Sequence, residues 1–308
     1  MMEGGETDLI RETVSHLRDL PRYRQILATL VRYGYQDVVA ALHLDVLVRP
    51  IEWVAQGEEP QIHDRPQRLR MVCEELGPTF VKLGQLLSTR PDLIPEAYTN
   101  ELAALRDDVR PFPYSQVETI LANEYGRPPG ECFATLDSTP TASASISQVH
   151  RAVLHDGRTI ALKVRRPDIQ KTVQADLDIL KNLAQLAERR LPGLGVYKPL
   201  ALAREFERTL TRELDFTVEL RTMHRCQTQF EGDPSAHIPY TVEEFSTPKV
   251  IAMEFINGVA IDDLEGIRGL GLDPAEVAET GAKILIKQIF EFGFFHADPH
   301  PGNLRVLE

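Results

Sequence analysis

The stretch Pro140-Thr141-Ala142-Ser143-Ala144-Ser145-Ile146-Ser147-Gln148-Val149-His150-Arg151-Ala152-Val153-Leu154 opens with small residues and closes in β-branched alternation. His155-Asp156-Gly157-Arg158 and Thr159-Ile160-Ala161-Leu162-Lys163-Val164 follow. Alternation of this kind predicts strands, and an Asp-Gly pair between two such runs predicts a hairpin. The short apolar run Phe133 to Leu136 predicts a further strand just upstream. The pattern is therefore strand, small-residue loop, strand, tight turn, strand, with Lys163 near the end. A lysine at a strand end often reaches solvent. Here Ala161, Leu162 and Val164 flank it, which favours a buried lysine, and a buried ammonium needs a partner.

Downstream, Ile169, Val173, Leu177, Leu180, Leu183 and Leu186 predict a helix over 167–190, with Pro167 suited to its first turn. A second helix is expected from Leu200 to about Phe230, containing Arg212-Glu213-Leu214-Asp215-Phe216-Thr217-Val218-Glu219. Asp215 and Glu219 are four apart and share a face, whereas Glu213 points elsewhere. Two directions for acids suit two cationic partners, although a solvated acidic stretch balanced by Arg208, Arg212 and Arg221 is the plainer reading. Ile238 to Phe245 and Lys249 to Phe255 predict a strand pair that turns at Gly258. Pro274 to Phe292 predicts an apolar helix. After it comes Phe294-Phe295-His296-Ala297-Asp298-Pro299-His300-Pro301-Gly302-Asn303, of the form His-x-Asp-x-x-x-x-Asn. Alone, that loop reads equally well as a polar turn punctuated by Pro and Gly.

Upstream, residues 8 to 46 show helical spacing, with Pro21 as an interruption. A helix from about Pro66 to Leu76 is broken by Gly77-Pro78, and a second over Thr79 to Arg90 begins at once. Lys82 and Gln85 share a face of it. Between them lies Gly84, which costs about 1 kcal/mol relative to Ala in a helix interior and so suggests close backbone approach by another segment. On spacing alone, Lys82 and Gln85 read as solvated residues of an amphipathic helix.

The 308 residues are 43% hydrophobic and 26% charged, with a net charge of −12. This is enough for a core and two domains, and the acidic balance argues against nucleic acid as the main partner. Cys73, Cys132 and Cys226 are scattered, so neither a disulfide framework nor a zinc site is expected. The acidic start Met1-Met2-Glu3-Gly4-Gly5-Glu6 is not a signal-peptide pattern, and no apolar run approaches the roughly 20 residues that span a bilayer.

Taken together, these motifs resemble a kinase N-lobe and, more closely, the AarF/UbiB/ADCK family of atypical protein-kinase-like proteins. Lys82-Leu83-Gly84-Gln85 is similar to its Lys-x-Gly-Gln signature, and Ala142-Ser143-Ala144-Ser145 to the alanine-rich loop that replaces a glycine-rich one. Glu213-Leu214-Asp215 is similar to its Glu-x-Asp motif. The resemblance implies an α+β, protein-kinase-like fold with a helical N-terminal extension, a complete N-lobe and an incomplete C-lobe. Its divisions would be 1–130 for the extension, 131–257 for the N-lobe with inserted helices, and 258–308 for the start of the C-lobe.

The resemblance also implies roles. Lys163 would pair with nucleotide phosphates and Glu219 would hold it. Ala142, Ser143, Ala144 and Ser145 would cover the phosphates, the two serine hydroxyls standing in for glycine amides, and the backbone around Glu254 and Ile256 would meet adenine. Asp298 would act as base or water-positioner, and Asn303 would hold Mg²⁺. Lys82, with Gln85, would meet Glu213 and Asp215 as a latch hindering protein phosphorylation. ATP and Mg²⁺ are the implied cofactors. Lipid- or quinone-biosynthesis proteins and a membrane surface are the implied partners, and the implied location is cytoplasmic or peripheral on the inner membrane. The family's Asp-Phe-Gly metal ligand would follow Glu308, as would most of the cover for the 274–292 helix. Three expectations stay open: an ATPase or phosphotransferase supporting ubiquinone biosynthesis, a non-catalytic nucleotide-binding scaffold, and an inactive fragment.

Overall fold

The structure, a computed structural model, describes residues 19–48, 63–105, 109–191, 193, 197–295 and 301–307. In chain order come α1 (Leu20–Arg32), α2 (Gln36–Ala41), α3 (Arg65–Leu76), α4 (Pro78–Ser88) and α5 (Glu96–Leu102). Helix α6 (Tyr114–Tyr125) and the single turn α7 (Pro129–Cys132) lead into β1 (Thr135–Leu136), β2 (Ala142–Ser143), β3 (Ser147–Val153) and β4 (Thr159–Arg165). Helices α8 (Ile169–Arg190), α9 (Pro199–Glu213) and α10 (Phe216–Gln229) follow. The remainder is β5 (Val250–Glu254), β6 (Val259–Ala260), α11 (Leu264–Gly269), α12 (Pro274–Lys287), a π-helical turn at Gln288–Phe292 and β7 (Arg305–Val306). The chain folds into two compact units, one of residues 1–112, 142–148 and 165–214, the other of 113–141, 149–164 and 215–308.

The first unit is mainly helical. Asp19 accepts from the Arg22 amide and caps α1, so Pro21 sits in the first turn and starts this helix instead of interrupting it. The part of the expected helix before residue 19 lies outside the described residues. Gly77, at φ 93°, takes the left-handed conformation that ends α3, and Pro78 then opens α4. The core gathers Tyr23, Ile26 and Leu27 with Val72, Phe80, Leu102, Leu105, Ile179 and Leu186. Gly84 lies inside it: a Cβ there would collide with Leu105 Cδ1 and come within 3.3 Å of Leu102 Cδ2. A close approach exists, but leucine side chains make it, not the backbone that the glycine suggested. Helix α8 starts two residues later than Pro167, because Asp168 adopts φ 53° before it.

The second unit holds the sheet, in the order β1-β3-β4-β5. Thr135 pairs with Val153, and Lys163 with Ile251, both antiparallel. Ile160, Leu162 and Val164 of β4 and Val250, Ile251 and Ala252 of β5 are all fully buried. Tyr125, Phe133 and Phe245 pack ring against ring beside it, and the Tyr125 hydroxyl donates to Phe245 O at 2.9 Å. Burial pushes the Tyr125 phenol far above its ordinary pKa.

The strand expected over Ile238 to Phe245 does not form. Two amide bonds, Val242 N to Ala252 O and Glu254 N to Tyr240 O, tie it to β5, and Glu243–Phe245 then curls into a 3₁₀ turn. Strand β6 pairs with β7, and Gly258 lies against the Val306 carbonyl, where a Cβ would stand 2.8 Å away. On α12 no described residue is buried, and Ile286, Ile289 and Phe290 are exposed. No helix among the described residues is long and apolar enough to cross a membrane.

Candidate functional site

Strand alternation puts Ile160, Leu162 and Val164 on one face of β4 and Ala161, Lys163 and Arg165 on the other. The apolar face locks the strand, and the second face carries the ammonium. Lys163 Nζ donates to both carboxylate oxygens of Glu219, at 2.8 and 2.7 Å, and lies 5.1 Å from the centre of the buried Phe216 ring. Glu219 occupies the first turn of α10, where the helix dipole favours a negative charge. Asp215 starts that helix by accepting from the Thr217 amide at 3.0 Å and its hydroxyl at 2.8 Å. The side chains of Lys163 and Glu219 are 22% and 39% exposed. An ion pair this open adds only about 0–1 kcal/mol to stability. Its consequence is chemical: an ammonium held in place by a carboxylate and still open to water.

In the first unit, Lys82 Nζ on α4 meets Glu213 Oε1 at the end of α9, at 2.9 Å. Gln85 Nε2 donates to Leu105 O at 3.3 Å, on the same leucine that packs over Gly84. The single helix expected through Glu213, Asp215 and Glu219 is two helices, because the chain leaves α9 at Leu214 and Asp215 takes an extended backbone. Arg165 Nη1 donates to Leu214 O at 2.6 Å and satisfies a carbonyl the break leaves open. Of the two acids expected to meet Lys82, Glu213 is the one in contact with it, while Asp215 uses its carboxylate on Thr217 as a cap.

The alanine-rich loop is turned inward. The Ala144 amide donates to Ser147 O at 2.8 Å, and Ser143 Oγ accepts from Arg166 at 3.1 Å. Ser145 is fully buried and its hydroxyl has no hydrogen-bond partner among the described residues. This corrects the expectation that both serines offer hydroxyls to phosphate: Ser145 faces the protein. At the end of β5, the Glu254 carboxylate is hydrogen-bonded to His237 Nε2 at 2.7 Å and accepts from the Tyr240 amide at 3.3 Å. Ile256 follows outside any strand. Asn303 closes a 3₁₀ turn at Pro301–Asn303 and is exposed, while Asp298 lies outside the described residues. Among the described residues no group of three His, Cys, Asp or Glu could hold a metal ion.

Three residues escaped the sequence reading. Phe216 supplies the ring beside Lys163, Arg165 holds the carbonyl at the α9–α10 break, and Arg166 ties the alanine-rich loop. For Arg165 the signal was its place two residues after Lys163 on the same strand face. For Phe216 it was the apolar residue directly after an Asp able to cap.

The description "ABC1 atypical kinase-like domain" matches residues 104–308. The chain is 37% identical over 289 residues to "Probable protein kinase UbiB" of Cellvibrio japonicus (strain Ueda107), covering 92% of this chain and 51% of that protein. It is 39% identical over 243 residues to "Uncharacterized protein in hydrogenase 1 5'region" of Clostridium pasteurianum, covering 79% and 46%. The chain thus spans about half the length of the curated relatives it matches. Among solved structures, Rv3197 of Mycobacterium tuberculosis, determined as a complex with erythromycin, superimposes with a TM-score of 0.55 at 29% identity, over 77% of this chain and 59% of that one. A mixed α and β fold of the kinase-like kind, a strand lysine held by a helix glutamate, and these matches together place the chain in the ABC1/UbiB family of atypical kinase-like proteins.

Proposed function

We propose that this chain binds a nucleotide through its phosphates and serves first as a nucleotide-binding module in ubiquinone or related isoprenoid-lipid biosynthesis, with turnover secondary. The observation that carries the reading is the Lys163–Glu219 pair, an ammonium fixed by both carboxylate oxygens yet open to solvent. The family membership and the relatives named as probable protein kinases support the choice of ligand. Lys163 would meet phosphate oxygens, with Glu219 keeping it in place. The backbone at Glu254 and Ile256 would meet the adenine edge.

The donor set fits a nucleotide phosphate. For Mg²⁺ it offers Asn303 as an oxygen ligand, the amide type that kinase-like sites place on the metal. The ion would screen the phosphate charge, and Asp298 would orient an attacking hydroxyl or water. The His296-x-Asp298 to Asn303 spacing favours hydrolysis as a second reading.

The test is thermal denaturation with and without ADP or ATP. A ligand at 100 times its Kd adds about 2.7 kcal/mol of stability. The wild-type chain should show that rise in Tm, and Lys163→Met should lose it while melting normally without nucleotide. A rise that survives in Lys163→Met would overturn the lysine assignment. Asp298→Asn should leave the rise intact and remove any hydrolysis.

A further inference from the structure

Glu254 ends β5, and three bonds tie it to one neighbouring segment of the second unit. Its amide donates to Tyr240 O at 2.8 Å. Its carboxylate Oε2 accepts from the Tyr240 amide at 3.3 Å and meets His237 Nε2 at 2.7 Å. An ionised carboxylate only accepts, so the imidazole proton of this bond sits on Nε2. The side chains of His237 and Glu254 are 49% and 24% exposed. A pair this open adds little to stability, so its effect is to fix a position.

The segment that clamps Glu254 is itself anchored. Pro239 fixes its own φ and pushes Ile238 to an extended backbone, which pre-sets the path from His237 to Tyr240. Gln227 Nε2, on α10, donates to Pro239 O. Helix α10 also carries Glu219, which holds Lys163. Gln227 follows Glu219 by eight positions, about 12 Å along the helix axis. One helix thus sets Lys163 and, through residues 237–240, the end of β5. Beyond Glu254 the strand ladder stops. The Phe255 amide reaches Thr159 O at 3.3 Å, and residues 255–258 belong to no strand.

We propose that His237 is a positioning residue for the base end of the nucleotide site. It fixes Glu254 and thereby the backbone of residues 254–256, so that an adenine meets groups already in place. The affinity half rests on the nucleotide-binding reading above; the positioning half does not. A backbone left loose must be ordered when the ligand binds, and that ordering weakens affinity. Phosphates held at Lys163 make no contact with residues 254–256, so loosening that backbone costs a phosphate-only ligand nothing. Loss of His237 should therefore separate recognition of the base from recognition of the phosphates.

The experiment uses the 308-residue chain as wild type, His237→Ala and His237→Gln, the last of which keeps an N–H donor. Calorimetric titration with ADP and with tripolyphosphate separates base from phosphates, and amide hydrogen exchange without ligand reports on the clamp. His237→Ala should raise the Kd for ADP several-fold and leave that for tripolyphosphate unchanged. It should also speed exchange of the Glu254 and Phe255 amides, while the Ala134 amide, bonded to Val153 O on the same sheet, stays as in wild type. His237→Gln should recover most of both effects. Unchanged exchange at Glu254 and Phe255 overturns the clamp. Equal losses for the two ligands, or an unchanged Kd for ADP, overturn the base-positioning role. If the wild type binds tripolyphosphate as tightly as ADP, the base contributes nothing and the role falls while the phosphate reading stands. If it binds neither, the nucleotide reading falls with the role, and the exchange data still decide whether His237 holds Glu254.

Discussion

Two ion pairs, one in each unit, look alike as chemistry and differ as physics. In the first unit Arg22 grips Asp176 with Nε at 2.7 Å and Nη2 at 3.1 Å, and the same Nη2 reaches Leu76 O at 2.7 Å. Asp176 is 1% exposed and Arg22 15%. In the second unit Lys163 and Glu219 are just as close but open to water. A buried bidentate pair fastens helices: α1, α3 and α8 meet at this one guanidinium. An open pair fastens little, and the proposed reading gives its fixed geometry a use: presenting an ammonium to a ligand. Burial, more than distance, separates the fastening pair from the presenting one.

The largest effect should therefore come from the pair without proposed chemistry. Asp176→Ala leaves the Arg22 charge in the core without its counter-ion and should destabilise the first unit by roughly 3–5 kcal/mol in a denaturant titration. A loss below about 1 kcal/mol would erase the distinction between the two pairs. Gly84→Ala comes next. Its new Cβ must displace Leu105, so it should cost about 1–3 kcal/mol by overpacking. The same measurement on Gly130, which has open space where a Cβ would go, should show no such loss. Lys163→Met should change stability by about 1 kcal/mol or less and yet remove nucleotide stabilisation. The smallest effect is expected at Lys82→Met. Its partner Glu213 is 38% exposed, so the stability change should again stay within about 1 kcal/mol and nucleotide stabilisation should persist. Loss of nucleotide stabilisation at Lys82 would give that pair the role assigned here to Lys163.

Much of this was legible in the sequence, for stated reasons. Alternation around Lys163, the Asp156-Gly157 turn and the misfit of Gly84 in a helix are local signals, and each has its counterpart in β4, the β3–β4 hairpin and the packing of Leu105. The α9–α10 break was not legible from periodicity, because Leu210, Leu214 and Val218 keep helical spacing straight across it. The signal lay in Asp215 followed by Thr217, a capping pattern hidden inside an apparently continuous helix. The 238–245 segment misled for another reason: its β-branched residues earn only two amide bonds to β5 before the chain curls at Glu243. The alanine-rich loop is tied by Arg166, 22 positions beyond Ala144, and no local pattern encodes a contact at that separation. The roles of Asp298 and Asn303 rest on spacing and family resemblance.

The central claim is that Lys163 and Glu219 form one phosphate-binding device. The most direct measurement is a double-mutant cycle on nucleotide affinity, using calorimetric titration of wild type, Lys163→Met, Glu219→Gln and the double variant. The account predicts that each single change weakens binding and that the double variant is little worse than Lys163→Met, since Glu219 acts by holding the lysine. Losses that simply add, or affinity unchanged in Lys163→Met, would contradict it.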